Sequence, residues 1–134
     1  MEFKEINQDE LKEIEQYREQ FYKLTGKKNA LDIEIQDIDN LFDSGRKAYR
    51  DGEVSAMHVC WVCGVGLGEL LIREFICDWY KAILENNEEV PCVGNKKHYV
   101  FPISSFEKRI ETDEIKFSEG LIYSLNQNQG LLRR

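Results

Sequence analysis

The stretch V-C-W-V-C-G-V-G-L-G-E-L-L-I, residues 59–72, decides the reading of this chain. Its 14 residues contain one charge, Glu69. That is short of the roughly 17–25 apolar residues of a membrane span. It predicts instead the middle of a helix running from about Glu53 to Phe75. Met57, Trp61, Val65 and Ile72 fall on one face, with Val62 and Leu70 alongside. A helix that is apolar almost all round must be enclosed by other elements. Gly64, Gly66 and Gly68 each cost about 1 kcal/mol relative to alanine inside a helix. Gly64 and Gly68, four apart, share a face where a neighbouring backbone can come close. Tight packing of this helix on another helix or a sheet is the expected reason for them.

Upstream, Leu11, Ile14, Tyr17, Phe21 and Leu24 recur at steps of three and four, one stripe of an amphipathic helix. Asn7 with Glu10 forms a capping pair at its start, and Gly26 suits the left-handed end. Leu31, Ile33 and Ile35 alternate with Asp32 and Glu34, which predicts an extended lead-in. A helix from about Ile38 to Tyr49 follows, with Asp37 as a cap, and Asp51–Gly52 marks a turn. Downstream, residues 79–84, 90–93 and 98–101 are short runs of strand-favouring residues separated by turn-like segments. They predict a three-stranded antiparallel meander, with Pro91 at an edge or a strand start. Pro102 stops the last strand. Ser104 with Glu107 reads as a capping box for a short helix carrying Phe106 and Ile110. A last helix is expected from about Ser118 to Leu125, and residues 126–134 are expected to fray. The fold class is therefore α+β: a central buried helix with flanking helices, packed on a small three-stranded meander. One domain is expected over the 134 residues.

The chain carries 25 acidic and 18 basic residues, a net charge of −7. Such a surface repels phosphate backbones and anionic lipid heads. Nucleic-acid and membrane partners are disfavoured, and a basic protein partner is favoured. Met1–Gln8 is polar, so no export signal is expected, and the cytoplasm is the expected location.

Four cysteines are present, Cys60, Cys63, Cys77 and Cys92. Cys60 and Cys63 share a helical face and follow His58, giving H-x-C-x-x-C. A closed zinc site needs four ligands, and no second C-x-x-C is present. A redox pair needs a helix N-terminus to stabilise the thiolate. Inside an apolar helix the pair reads as buried, inert thiols, with metal and redox uses as weaker alternatives. G-V-G-L-G-E misses the G-x-G-x-x-G spacing and lacks the strand before it, so no nucleotide cofactor is expected. Glu69 must be paired, solvated or protonated. Arg73, four residues on, is its expected partner. The alternative is a general acid or base in a cleft on a small anionic substrate, with Arg73 or Lys108–Arg109 close by. Lys108, Arg109 and Glu111 form either a salt-bridge cluster or a recognition patch.

G-V-G-L-G-E at 64–69, Trp79, and V-F-P-I-S-S-F-E-K-R-I-E at 100–111 together resemble an uncharacterised bacterial family, the domain of unknown function thirty-eight-oh-six. Its pattern is G-V-x-L-G-E, then a tryptophan, then F-P-x-S-x-x-x-K-R-x-E. L-F-D-S-G at 41–45 is also similar, and the resemblance spans about Ile38 to Leu125. E-N-N-E-E at 85–89 departs from the family's glycine-containing turn, and the Cys60–Cys63 pair is not a family feature. The resemblance implies a compact α+β domain and carries no activity or catalytic residues. The function expected from all this is a non-enzymatic protein-binding domain of a bacterial cytoplasm, in its more specific form an immunity-type protein that neutralises a toxin.

Overall fold

The first helix forms where the capping signals place it. Asn7 Oδ1 accepts from the Glu10 backbone N–H at 2.9 Å, and Glu10 Oε1 accepts from the Asn7 N–H at 3.1 Å. Helix α1 spans Gln8–Thr25 and ends at Gly26, whose φ of 74° is left-handed. The computed structural model describes residues 1–128 and 130–134, without the side chains of residues 124 and 126–128. Among the described residues it has five helices and a four-stranded antiparallel sheet, an α+β architecture.

Between the first two long helices the chain departs from expectation twice. Of the alternating 31–35 segment only Ile33 and Glu34 are extended. Asn29 Oδ1 accepts from the Leu31 N–H at 2.9 Å and turns Ala30–Asp32 into a 3-10 turn. Helix α2 then spans Ile35–Arg50, beginning three residues before the expected Ile38, with the Glu34 N–H donating to Asp37 Oδ2 at 2.8 Å. The alternation has another cause: Leu31 points to solvent while Ile33 is buried.

Helix α3, Ala56–Glu74, starts at the Ser55 cap and is the centre of the molecule. Every residue from Val62 to Leu71 is buried. By length and composition it could cross a membrane, yet 67% of its apolar stretch is buried within the fold. Helices α1, α2 and the short α4, Pro102–Glu107, pack around it, and the sheet closes the remaining side. Its glycines explain the closeness. A Cβ on Gly64 would lie 2.6 Å from Ile103 Cα of α4. On Gly66 it would lie 2.3 Å from the Phe21 ring of α1, and on Gly68 2.3 Å from the Trp79 ring. Only Gly64 admits a backbone; the other two admit aromatic rings.

The sheet comprises β1 (Glu2–Glu5), β2 (Asp78–Ile83), β3 (Glu89–Gly94) and β4 (Tyr99–Val100), in that order. The expected meander is β2–β3–β4, and β1 adds on β2 a fourth strand that the sequence reading lacks. Phe3 of β1 pairs with Ala82, and its ring stacks on Tyr99 with centroids 3.6 Å apart. These rings cover the sheet's outer face, where Ala82 and Cys92 are fully buried. Pro91 sits in β3 before the residues that pair with β4, Val93 and Gly94.

Helix α4 corrects the expected Ser104–Glu107 capping box. Pro102 takes the first helical position, where its missing N–H costs nothing, so Ser104 lies inside the helix. Helix α5, Phe117–Asn128, is capped from a distance: Asp39 of α2 accepts from the Ser118 and Glu119 N–H groups at 2.9 and 3.4 Å. Residues 131–134 do not fray. Leu131 is 2% exposed, and the Ile76 N–H donates to Leu132 O at 2.7 Å beside a Phe75–Arg133 bridge. Burial of Leu131 outweighs the polar composition around it. Gln129 and the side chains of residues 126–128, also expected to fray, lie outside the described residues.

Candidate functional site

Glu69 is 8% exposed, and both its oxygens are engaged. Arg18 of α1 donates from Nη1 to Oε1 at 2.7 Å, and the Trp79 indole donates from Nε1 to Oε2 at 3.3 Å. The expected Glu69–Arg73 pair is therefore corrected. The carboxylate points across to α1 and β2, while Arg73 reaches the turn before α2. Arg73 Nη1 donates to Ala30 O at 2.9 Å and Ile33 O at 2.5 Å, and Nη2 lies 2.7 Å from Glu74. Both side chains join elements.

Lys108, Arg109 and Glu111 do not converge. Arg109 lies over the Phe117 ring, its Cζ 3.8 Å from the centroid, and donates to Ser105 O and Glu114. Glu111 accepts from the Tyr49 hydroxyl at 2.5 Å, and that bond pushes the Tyr49 phenol above its ordinary pKa. Lys108 is exposed. Arg46 and Arg50 of α2 also donate to Thr112 O, so this segment is tied down by ionic and carbonyl contacts.

Cys60 and Cys63 are buried in α3 as free thiols. Burial pushes Cys60 and Cys92 up to about 12 and Cys77 up to about 11, and it raises Cys63 as well. Thiols held protonated are poor nucleophiles and poor ligands. Among the described residues no three His, Cys, Asp or Glu side chains gather as a metal site.

The open surface lies elsewhere, along one flank of α1. At its start, a cleft of about 280 Å³ is lined by Glu10, Glu13, Trp61, Lys81, Glu89 and Pro91, among others. Lys81 Nζ lies 2.9 Å from Glu10 and 3.3 Å from Glu89. The hydrogen bond to Glu10, helped by Glu89, holds the Lys81 ammonium above its ordinary pKa against the opposing effect of burial. Three carboxylates and one ammonium thus line the cleft, and Glu13 makes no ion pair among the described residues. At the other end of α1, a groove of about 260 Å³ is lined almost wholly by apolar atoms of α1, α2, α3 and the α2–α3 connection, from Leu24, Leu41, Ala48, Val54, Val59 and Val62. Tyr17 lies between the two, its ring 5.2 Å from Trp61 of the cleft and 6.0 Å from His58 of the groove.

Of the valley residues the sequence marks only His58 and Cys63, through H-x-C-x-x-C. Leu24 belongs to the apolar stripe of α1 and so to the expected core, yet it is 60% exposed. Lys81 and Glu89 reach the cleft only through pairing of β2 with β3. The blocks that carry the family resemblance meet as a packing unit, Gly64 on Ile103 and Gly68 on Trp79. No family model, curated protein or solved structure matches the chain.

Proposed function

We propose that this chain is a non-enzymatic protein-binding domain that meets a basic partner along the valley beside α1. The observation that carries the reading is the cleft in which Glu10, Glu13 and Glu89 outnumber Lys81 beside the Trp61 ring. A lysine or arginine entering it would gain carboxylate partners and an aromatic face. The net charge of −7 would steer such a partner before contact. A stable complex would then bury about 800 Å² on each side. What supports binding over acid–base chemistry is the position of Glu69, which lines neither depression and holds two hydrogen bonds already. An immunity-type role, with a basic toxin as the partner, is the specific form that small size and acidic charge favour.

Titration of the labelled protein with a short oligolysine peptide tests the reading. The expected result is amide shifts at Glu10, Glu13, Trp61 and Glu89 that disappear near 1 M salt, where the Debye length is about 3 Å. The Glu13→Gln, Glu89→Gln double variant should lose them too. Shifts scattered over the surface, or insensitive to salt, would remove the proposal.

A further inference from the structure

We infer that the occupant of this valley is an amphipathic helix of the partner, with an apolar anchor in the groove at Leu24 and a lysine or arginine about three turns away in the acidic cleft; this rests on the binding reading above. The groove presents apolar surface to water on a strongly charged chain. Leu24 is 60% exposed and Val54 37% exposed, both in its lining. At 100° per residue, Glu13, Tyr17, Gln20 and Leu24 fall within about 60° of one another on α1. Cleft and groove therefore open along the same side and form one path.

The length of that path selects the occupant. Glu13 and Leu24 are eleven residues apart on α1, about 16 Å at 1.5 Å per residue. Eleven residues are also close to three full turns, so a second helix alongside would present positions i and i+11 on one face. An extended strand fits poorly. It needs unpaired backbone groups to bond with, and the helices bounding the groove have satisfied theirs internally. Where the sheet reaches the cleft, β3 offers Pro91, which has no N–H to donate. A helix brings its own bonded backbone and needs only side-chain complementarity. Charge decides its sign: three carboxylates against one ammonium require a basic residue at the cleft end. Tyr17 between the ends and Trp61 in the cleft supply the residue types that dominate binding energy at interfaces.

Selection of peptides of about 18 residues, five helical turns, from a random library against the immobilised chain tests this. Enriched peptides are then titrated against the wild type, Leu24→Ser, and the Glu13→Gln, Glu89→Gln double variant. All three positions are exposed, so the fold is kept. The expected peptides share a helical apolar repeat with lysine or arginine eleven positions from its anchor. Their affinity should fall about tenfold or more in each variant, as for a central contact. Basic peptides without an apolar repeat, binding Leu24→Ser normally, would overturn the helix while leaving the basic-partner reading intact. Apolar peptides indifferent to the glutamine substitutions would overturn both. A wild-type dimer in sedimentation that becomes monomeric in Leu24→Ser would make a second copy the occupant and overturn the inference.

Discussion

A carboxylate on the most enclosed helix of a fold is tolerated only with partners for both oxygens. Glu69 has them in Arg18 and the Trp79 indole, drawn from α1 and β2. Its need for a partner is evident from the residues around it. The partner's identity is not, because Arg18 is fifty-one positions away. Glu69→Ala leaves the buried indole N–H without an acceptor and Arg18 without its nearest anion. We expect a loss of about 1.5–3 kcal/mol, the range for hydrogen bonds to charged groups. Glu69→Gln keeps an acceptor for Trp79 and should lose less. Urea midpoints check both, and equal midpoints in all three proteins would show the contact to be inert.

At the scale of elements, the three glycines of α3 set the distances to its neighbours. In a solvated helix Gly→Ala stabilises, since alanine is about 1 kcal/mol the better helix former. At Gly66 the new methyl would meet the Phe21 ring at 2.3 Å, and Phe21 is fully buried. Gly66→Ala is therefore expected to destabilise by about 1–3 kcal/mol, the cost of overpacking. A methyl added at Gly120 in α5 would meet nothing within 4 Å, so Gly120→Ala should raise stability by about 0.4–1 kcal/mol. Thermal denaturation of the two variants should move in opposite directions. The same scale shows where local signals prevailed and where they did not. The Asn7–Glu10 box and Gly26 bound α1 as their chemistry predicts. Pro102 displaced the Ser104–Glu107 box because a proline already satisfies the first helical position. The cap of α5 comes from Asp39, seventy-nine residues from Ser118.

For the molecule as a whole, ion pairs fasten late segments onto earlier ones. Glu74, at the end of α3, accepts from Arg73 and from Arg133 near the docked last residues. The hydrogen bond from Arg73, then those involving Arg133, hold the Glu74 carboxyl below its ordinary value of 4.5. The unfolded chain therefore takes up this proton at higher pH than the folded one. Its contribution to stability is complete above the ordinary glutamate range and is lost as pH falls through the lower, folded value. The melting temperature should fall from about pH 5 downward. Glu74→Gln should be less stable than wild type near neutrality and show a shallower acid limb. Superimposable profiles would show that this pair does not fasten the last residues.

Composition and periodicity by themselves determined the α+β class, the enclosed α3, the caps of α1 and the order of the later strands. These follow from short-range physics: residues three, four or two apart share a face, and a cap acts within one turn. Only the tertiary structure decided the fourth strand, since E-F-K-E holds a single apolar residue and finds its place through Phe3 on Tyr99. It alone decided that Glu69 meets Arg18 rather than Arg73, and that Leu24 faces solvent while Leu131 is buried. The valley beside α1 is of the same kind. Its acids come from α1 and β3, its lysine from β2 and its tryptophan from α3. Residues so far apart in the chain share a site only because packing around α3 brings their elements together.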